Sequence, residues 1–240
     1  MKIAAVCCTY LRPKSLGYLI RCFERQDYPA KLRELVILDD AGQYDSQTGD
    51  GWRLISQTER YPTLGEKRNA AAALVADDVR AIAVWDDDDF YLRWALRASA
   101  AALATADWSR PSVVLHPGPR GSLRQHRTGG LFHGGWAYRR DAFDHVGGYP
   151  AISNGEDQAL AARFEQAGVD QADPIRLGYR PFYVYPWLND AGWHLSALRG
   201  NGYRQLGALR CSKTRLEIAD PPKLDLDNPK ILPGVRPRVF

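Results

Sequence analysis

Over its first half the sequence alternates between short apolar runs and longer segments with helical spacing of apolar residues. The apolar runs cover residues 2–8, 34–38 and 80–85, and the helical segments cover residues 14–26, 64–76 and 92–106. Strands and helices that alternate in this way predict a parallel sheet with helices on its faces. We therefore expect an α/β fold: a single domain with a mostly parallel central sheet flanked by helices. A chain of 240 residues is long enough for one such domain and a small extension.

Polar clusters follow each of the three predicted strands. Thr9 and Tyr10 follow the first strand, Asp39 and Asp40 the second, and residues 86–89 (DDDD) the third. Ligands of open parallel sheets bind outside the carboxyl ends of the strands. We expect the three clusters to meet there and to form a binding site.

The acidic run, residues 86–89, places four carboxylates in succession at the end of an apolar strand. Such carboxylates repel one another, and a hard divalent cation such as Mg²⁺ or Mn²⁺ would relieve the repulsion. A cation held there can in turn bind a diphosphate. The alternative is a loop whose acids face water, with Asp89 or a neighbour capping the next helix.

Two predicted helices begin with charged residues. Lys67 and Arg68 lie in the first turn of the helix over residues 64–76, where cationic side chains and backbone N–H groups suit phosphate. Glu156 and Asp157 begin a helix over residues 156–167, and such a carboxylate can act as a general base. In both places an ordinary charged first turn explains the residues equally well.

The second half is less regular. We predict short strands at residues 113–116 and 182–185, a short helix at 140–146, and loops at 42–51 and 120–135. Residues beyond 212 are expected to form an irregular C-terminal arm, because they are rich in proline and short on apolar periodicity. The C-terminal region is also basic, since residues 197–240 hold nine Lys or Arg and four acids. A basic end can meet an anionic acceptor, a membrane surface or nucleic acid, or it can be a solvated surface.

The composition excludes a membrane-spanning chain, because no apolar stretch approaches the roughly 18 residues that a bilayer requires. The apolar N-terminal run ends at Thr9 and Tyr10 without the small-residue cleavage site of a signal peptide. The expected location is therefore cytoplasmic.

Six motifs occur in the order found in the family 2 glycosyltransferases, which are inverting enzymes with the GT-A fold. Residues 6–13 (VCCTYLRP) resemble P-T-Y-N-R, 36–42 (VILDDAG) resemble V-V-D-D-G-S, 65–69 (GEKRN) resemble G-x-x-x-A-R-N, and 84–89 (VWDDDD) resemble F-L-D-x-D-D. Residues 139–149 (RRDAFDHVGGY) and the pair 156–157 (ED) are similar to two further motifs. Cys8, Leu11 and Lys67 stand where the family has proline, asparagine and alanine. The resemblance covers residues 2–196.

This resemblance implies a GT-A, Rossmann-like domain over residues 1–211, with a nucleotide-sugar half (1–110), an acceptor half (111–211) and an extension (212–240). It implies donor contacts from Thr9, Tyr10, Arg12, Asp39, Asp40, Lys67, Arg68, Asp86 and Asp87. Within that set, Thr9 and Asp39 would meet the base, Arg68 the diphosphate, and Asp86 or Asp87 the ribose. Asp88, with Asp86 and His194, would hold Mn²⁺ or Mg²⁺.

The implied reaction is inverting transfer from a nucleoside-diphosphate sugar, with a UDP-sugar as the expected donor. Asp157, with Glu156 beside it, would take the proton from the acceptor hydroxyl. The acceptor stays open between a glycan, a lipid-linked sugar, a protein and a modified nucleobase. Trp136, Trp187 and Trp193 are candidates to stack on it.

Two other functions compete with this interpretation. A nucleotidyltransferase would also use carboxylate-bound Mg²⁺, but its usual glycine-rich loop after the first strand is replaced here by residues 9–13 (TYLRP). A nucleic-acid-binding protein, or an enzyme that glycosylates a DNA base, would use the basic C-terminal region.

Overall fold

The computed structural model describes residues 1–186 and 213–233. In these residues an eight-stranded sheet has the order β11-β7-β10-β5-β1-β2-β4-β3. Its strands are β1 (Ile3–Thr9), β2 (Arg33–Asp39), β3 (Gln47–Thr48), β4 (Trp52–Ser56), β5 (Ala81–Val84), β7 (Trp108–Ser109), β10 (Ala137–Arg139) and β11 (Gln171–Ala172). The four central strands β5, β1, β2 and β4 are parallel, and β3 and β10 run antiparallel to their neighbours.

A second, five-stranded sheet in the described residues has the order β13-β9-β8-β12-β6. Its strands are β6 (Phe90–Tyr91), β8 (Val113–Pro117), β9 (Leu123–Arg127), β12 (Tyr183–Val184) and β13 (Ile231–Leu232). The helices are α1 (Pro13–Glu24), α2 (Leu64–Ala73), α3 (Ala95–Ala102), α4 (Arg140–His145) and α5 (Glu156–Gln166). None of the helices in the described part of the chain has the length and apolar character needed to cross a bilayer.

The first strand shows why the central sheet needs cover on both faces. Successive side chains of a strand point to opposite faces. Ile3, Ala5 and Cys7 accordingly pack in one core with α1, α3 and the second sheet. Ala4 and Val6 pack in the other core, which includes residues of α2, α4 and α5. The predicted α/β fold with helices on both faces is confirmed.

Some predicted elements differ from those observed. The predicted loops at 42–51 and 120–135 contain β3 and β9, and the strand β4 was not predicted. The reason at β9 is its polar sequence, LRQHR, which shows little apolar alternation and owes its conformation to pairing with β8. The helix expected from residue 92 begins at Ala95, because Phe90 and Tyr91 pair with β12 instead.

Residues 213–233 are largely without regular structure, as predicted, but they pack on the domain. Leu226 is buried, and β13 pairs with β9. Arg25, which follows the last residue of α1, forms ion pairs with Asp220 and Asp227. The segment carries four basic and four acidic side chains, so the basic excess of the C-terminal region lies in residues outside the described part.

Candidate functional site

A cavity of about 460 Å³ opens at the carboxyl ends of β1 and β5. It is lined by nine of the predicted site residues: Tyr10, Arg12, Lys67, Arg68, Asp86, Asp87, Asp88, Glu156 and Asp157. Thr9, Asp39 and Asp40 are buried beside it and are not in its lining. The predicted ligand His194 lies outside the described residues, as do Trp187 and Trp193. The clusters at the ends of β1 and β5 therefore meet in one cavity.

Each carboxylate of the acidic run has a protein partner. Asp86 pairs with Arg68, at 3.2 Å between Oδ1 and Nη2. Asp87 accepts a hydrogen bond of 2.7 Å from the Thr9 hydroxyl. The other two contacts join Asp88 to Arg12 and Asp89 to the Tyr183 hydroxyl, at 2.9 Å and 2.6 Å. The run is therefore neither water-facing nor a helix cap, because α3 begins only at Ala95, after Trp94.

A buried aromatic pair holds the start of the run in place. The ring of Tyr91 stacks on that of Trp85 with centroids 4.0 Å apart. The Tyr91 hydroxyl accepts a hydrogen bond from the backbone N–H of Asp86 and donates one to the carbonyl of Gly134. The backbone of Asp86 is thus tied to two separate elements, and its position is set before any ligand binds.

Arg68 connects the acidic run to the start of α5. Its guanidinium lies between Asp86 and Glu156, with Nε 3.3 Å from Oε1 of Glu156. Arg68 lies near the start of α2, where the Thr63 side chain caps the helix by accepting a hydrogen bond from the backbone N–H of Glu66. This cap fixes where the helix begins and so where the Arg68 side chain leaves it. The Arg68 side chain is therefore presented to the cavity.

Lys67, one residue earlier, turns away from the acidic run. Its ammonium donates to the backbone carbonyl of Thr9 and to the carboxylate of Asp40. Lys67 and Asp40 are both almost completely buried. Asp40 also accepts from the N–H of Tyr61. This ion pair joins the carboxyl ends of β1 and β2 to α2 and so shapes one wall of the cavity.

Asp39 is the last residue of β2, and Tyr10 directly follows β1. Asp39 is fully buried, and its oxygens accept from the N–H groups of Ala41 and Gln43 and from the Ser56 hydroxyl. These bonds hold the turn after β2. Tyr10 lines the cavity, and the Arg60 guanidinium lies 4.4 Å from the centre of its ring.

The two carboxylates at the start of α5 differ in environment. Glu156 is buried and paired with Arg68, and burial raises its pKa. Asp157 is half-buried, lines the cavity and accepts from the N–H of Gln158 at 2.8 Å. Among the described residues, Asp157 makes this local hydrogen bond, whereas the carboxylate of Glu156 is paired with Arg68. Asp157 therefore suits proton transfer better than Glu156 does.

The acidic run carries more negative charge than its surroundings compensate. Burial raises the pKa of Asp87 to about 7 in spite of the nearby Arg12, and the charge of Asp88 adds to the effect. Burial and the charges of Asp88 and Asp86 raise the pKa of Asp89 well above its ordinary value. The cavity therefore favours a positively charged ligand.

Several residues of the site were not predicted from the sequence, among them His133, Gly134 and Tyr183. His133 and Tyr183 line the cavity, and Gly134 approaches the acidic run so closely that a Cβ there would lie 2.8 Å from Oδ2 of Asp86. The only sequence signal was the glycine pair at 134 and 135, which fell in a predicted loop. Trp136, a candidate to stack on an acceptor, is instead 2% exposed and packs in the core.

The donor set at the acidic run is suited to a hard divalent cation. Carboxylate oxygens are the preferred ligands of Mg²⁺ and also bind Mn²⁺. Asp89 is 2% exposed, and its Oδ1 is buried with no hydrogen-bond partner. Within residues 1–186 and 213–233, however, no three His, Cys, Asp or Glu side chains already stand in a metal-binding arrangement. A cation would need some rearrangement of the run, or a ligand from elsewhere.

Comparisons of fold and sequence gave different results. No protein-family model and no curated protein matches the sequence. Solved structures do match: S. aureus TarS 1-349 in complex with UDP-GlcNAc has a TM-score of 0.61 at 15% identity, over 80% of this chain and 60% of the TarS 1-349 chain. Mannosyltransferase PcManGT from Pyrobaculum calidifontis, in complex with GDP-Man and Mn²⁺, has a TM-score of 0.61 at 17% identity, over 89% of this chain and 66% of that one.

This chain spans about 60% of the length of the TarS 1-349 structures that it matches. Identities of 15–17% show likeness of fold and carry no residue roles by themselves. The matched proteins share the sheet and helix arrangement that the resemblance of the sequence implied. The chain therefore has the fold of the GT-A glycosyltransferases.

Proposed function

We propose that this protein is an inverting glycosyltransferase that moves a sugar from a nucleoside-diphosphate sugar to an acceptor hydroxyl. The observation that carries the proposal is the shared cavity: a half-buried carboxylate, Asp157, faces the same 460 Å³ space as the acidic run and Arg68. The matched proteins support a donor of this class, since TarS was solved with UDP-GlcNAc and the mannosyltransferase with GDP-Man.

The charged side chains of the cavity suggest where each end of the donor binds. The diphosphate lies toward Arg68, whose guanidinium can stabilise negative charge that develops as the nucleotide leaves. A divalent cation held by Asp88 and Asp86, with His194 as a further ligand, would neutralise the same charge when bound. The expected cation is Mn²⁺ or Mg²⁺, and a UDP-sugar remains the expected donor.

The base end of the donor falls beside Tyr10 and Thr9. Asp39 would then act through the turn that it holds, because its two oxygens already accept three hydrogen bonds. Tyr10 lines the cavity with Arg60 over its ring, and we expect it to meet the base. The ribose falls between these residues and Asp87.

Asp157 takes the proton from the acceptor hydroxyl as that oxygen attacks the anomeric carbon. The carboxylate lies in the first turn of α5 and lines the cavity. Glu156 holds Arg68 in position and does not take part in proton transfer. A single displacement inverts the anomeric configuration, and no covalent intermediate on the enzyme forms.

The first experiment screens nucleotide-sugars for slow hydrolysis with Mn²⁺, because hydrolysis identifies the donor without the acceptor. We expect one nucleoside-diphosphate sugar to be hydrolysed. The corresponding nucleoside diphosphate should raise the melting temperature of the protein in the presence of Mn²⁺. If no UDP-, GDP- or TDP-sugar is hydrolysed and none of the diphosphates shifts the melting temperature, the proposal fails.

The second experiment tests the base once an acceptor is known. Asp157→Asn should lower kcat for transfer by roughly 10²–10⁴ while the affinity for the nucleoside diphosphate stays near that of the wild type. Asp141→Asn is the matched control, because Asp141 also lies in the first turn of a helix but outside the cavity. Equal activity of both variants would remove Asp157 from its role.

A further inference from the structure

The Arg12 side chain lies across the acidic run that the proposed function assigns to the metal. Its Nη1 is 2.9 Å from Oδ2 of Asp88, and its Nε is 3.8 Å from Oδ1 of Asp87. All three side chains are largely buried, with 11% of Arg12 exposed and 9% and 14% of the two aspartates. The guanidinium therefore acts as a cation at the place where a divalent ion would act.

The backbone that carries Arg12 is held firmly. Leu11, the preceding residue, has a φ of 58°, a left-handed conformation that a non-glycine residue keeps only where its surroundings hold it. Pro13 then starts α1, and the carbonyl of Arg12 accepts from the N–H of Leu16 and from the Ser15 hydroxyl. Only the side chain of Arg12 can move without unwinding this turn.

Arg12 and Arg68 differ in how they meet the carboxylates of the site. Arg68 joins two separate elements, because it pairs with Asp86 on one side and with Glu156 of α5 on the other. The ion pairs of Arg12 with the acidic run go to two adjacent residues of one loop. Moving Arg68 would break a link between two elements, whereas moving the Arg12 side chain away from Asp87 and Asp88 replaces ion pairs to a single loop.

A cation and a diphosphate together supply that charge. A divalent ion at Asp88 takes over the neutralisation of the carboxylate, and the phosphate oxygens offer the guanidinium a bidentate partner. Either ligand alone leaves one group uncompensated. We propose that Arg12 is an internal counter-ion of the acidic run, which moves from Asp87 and Asp88 to the diphosphate when metal and nucleotide bind together.

This inference rests on the proposed function and adds a thermodynamic consequence to it. Metal alone must compete with Arg12, so it binds weakly without nucleotide. Nucleotide removes the competitor, so it raises the metal affinity, and by linkage the metal raises the nucleotide affinity by the same factor. Arg12 thereby compensates part of the negative charge of the acidic run between turnovers.

The test measures Mn²⁺ affinity of the full chain at pH 7.5, by titration with electron paramagnetic resonance of free Mn²⁺, with and without the diphosphate identified by the hydrolysis screen. Arg12→Gln should bind Mn²⁺ alone at least about tenfold more tightly than the wild type, because a positive charge near the metal is removed. The diphosphate should raise Mn²⁺ affinity by a smaller factor in this variant. Structural damage would weaken metal binding, so the sign of the change separates the two explanations.

The matched control is Arg97→Gln, which removes the same charge at an exposed ion pair with Asp27. Its Mn²⁺ affinity should equal that of the wild type. Arg12→Lys keeps a charge but loses the bidentate geometry, and it should lie between the wild type and Arg12→Gln. This variant decides the question if Arg12→Gln does not fold.

The proposal is overturned if the Arg12 variants bind Mn²⁺ alone no more tightly than the wild type, or if no form binds Mn²⁺ at all. The hydrolysis screen separates this failure from that of the proposed function. Hydrolysis of a nucleotide-sugar with unchanged metal affinity in the variants rejects the counter-ion and keeps the glycosyltransferase. Absence of both hydrolysis and diphosphate binding rejects the glycosyltransferase itself.

Discussion

The buried ion pair between Lys67 and Asp40 allows the sharpest test of the energetics beneath the cavity. Lys67 is 2% exposed and Asp40 is not exposed at all, so substitution of the lysine leaves a carboxylate without its cation inside the domain. Methionine at position 67 keeps most of the side-chain volume and removes the charge. The N–H of Tyr61 still donates to Asp40 in this variant, but one neutral donor does not replace the ammonium.

Breaking a buried ion pair on one side typically costs about 3–5 kcal/mol of the free energy of unfolding. For a domain of this size such a loss lowers the melting temperature by roughly 6–20 °C. We expect Lys67→Met to show a change in this range, measured by urea unfolding at pH 7.5 and by calorimetry. Asp40→Asn, which strands the ammonium, should lose a similar amount.

The double variant Lys67→Met/Asp40→Asn completes a thermodynamic cycle. It leaves no buried charge, so its loss should be clearly smaller than the sum of the two single losses. Lys2→Met is the control, because Lys2 pairs with Asp78 at 2.7 Å on the surface and its removal should cause no change that unfolding experiments resolve. Additive single losses, or equal effects of Lys67→Met and Lys2→Met, would refute this account.

Three further predictions concern a close approach, a buried histidine and the C-terminal segment. Gly134→Ala should weaken Mn²⁺ and diphosphate binding about tenfold or more, because the acidic run must shift to make room for the added Cβ. That Cβ would lie 2.8 Å from Oδ2 of Asp86, 2.9 Å from the Tyr183 hydroxyl and 3.0 Å from Oδ2 of Asp89. Burial, with Arg68 nearby, lowers the pKa of His133 well below its ordinary value. Stability should therefore fall as pH drops below about 6.5, by up to about 1.4 kcal/mol per pH unit, and His133→Phe should remove that component. Gly17→Ala should loosen residues 213–233 and speed their proteolysis, because its Cβ would lie 1.9 Å from the backbone oxygen of Glu217.

Each of these predictions has an outcome that contradicts it. Ligand affinities of Gly134→Ala equal to those of the wild type would show that the acidic run tolerates a methyl group there. Parallel stability–pH curves for the wild type and His133→Phe would show that His133 is not held neutral. Unchanged cleavage of Gly17→Ala within residues 213–233 would show that the segment does not depend on its contact with α1.

The sequence predicted the central sheet and most of the cavity wall because both follow from local rules. Short apolar runs of four to eight residues that are bounded by polar clusters favour buried strands. Polar residues after such strands then meet at one edge of the sheet. Asp88 belongs to such a cluster, whereas Arg68 and Asp157 were predicted from the starts of two helices and from the family resemblance, and all three side chains line the cavity.

What the sequence could not predict depends on contacts between distant segments. The resemblance implied one role for Lys67 and Arg68, in donor binding, but only Arg68 faces the acidic run, while Lys67 turns to Asp40 and to the carbonyl of Thr9. Tyr183 reaches Asp89 across 94 residues, and nothing in its local sequence indicates that contact. The strand β9 likewise depends on its partners more than on its own polar residues.

The packing of residues 213–233 also affects when the domain can complete its folding. The ion pair between Arg25 and Asp227 joins residues 202 positions apart, and β13 adds to the second sheet from the same late segment. Contacts of such large sequence separation form late, and during synthesis the N-terminal part of a domain emerges first. The outer surface of α1 can therefore be covered only after the last part of the chain has been synthesised. An early release of the chain, before residue 213, would leave that surface and the edge of β9 uncovered, a form prone to association with other chains.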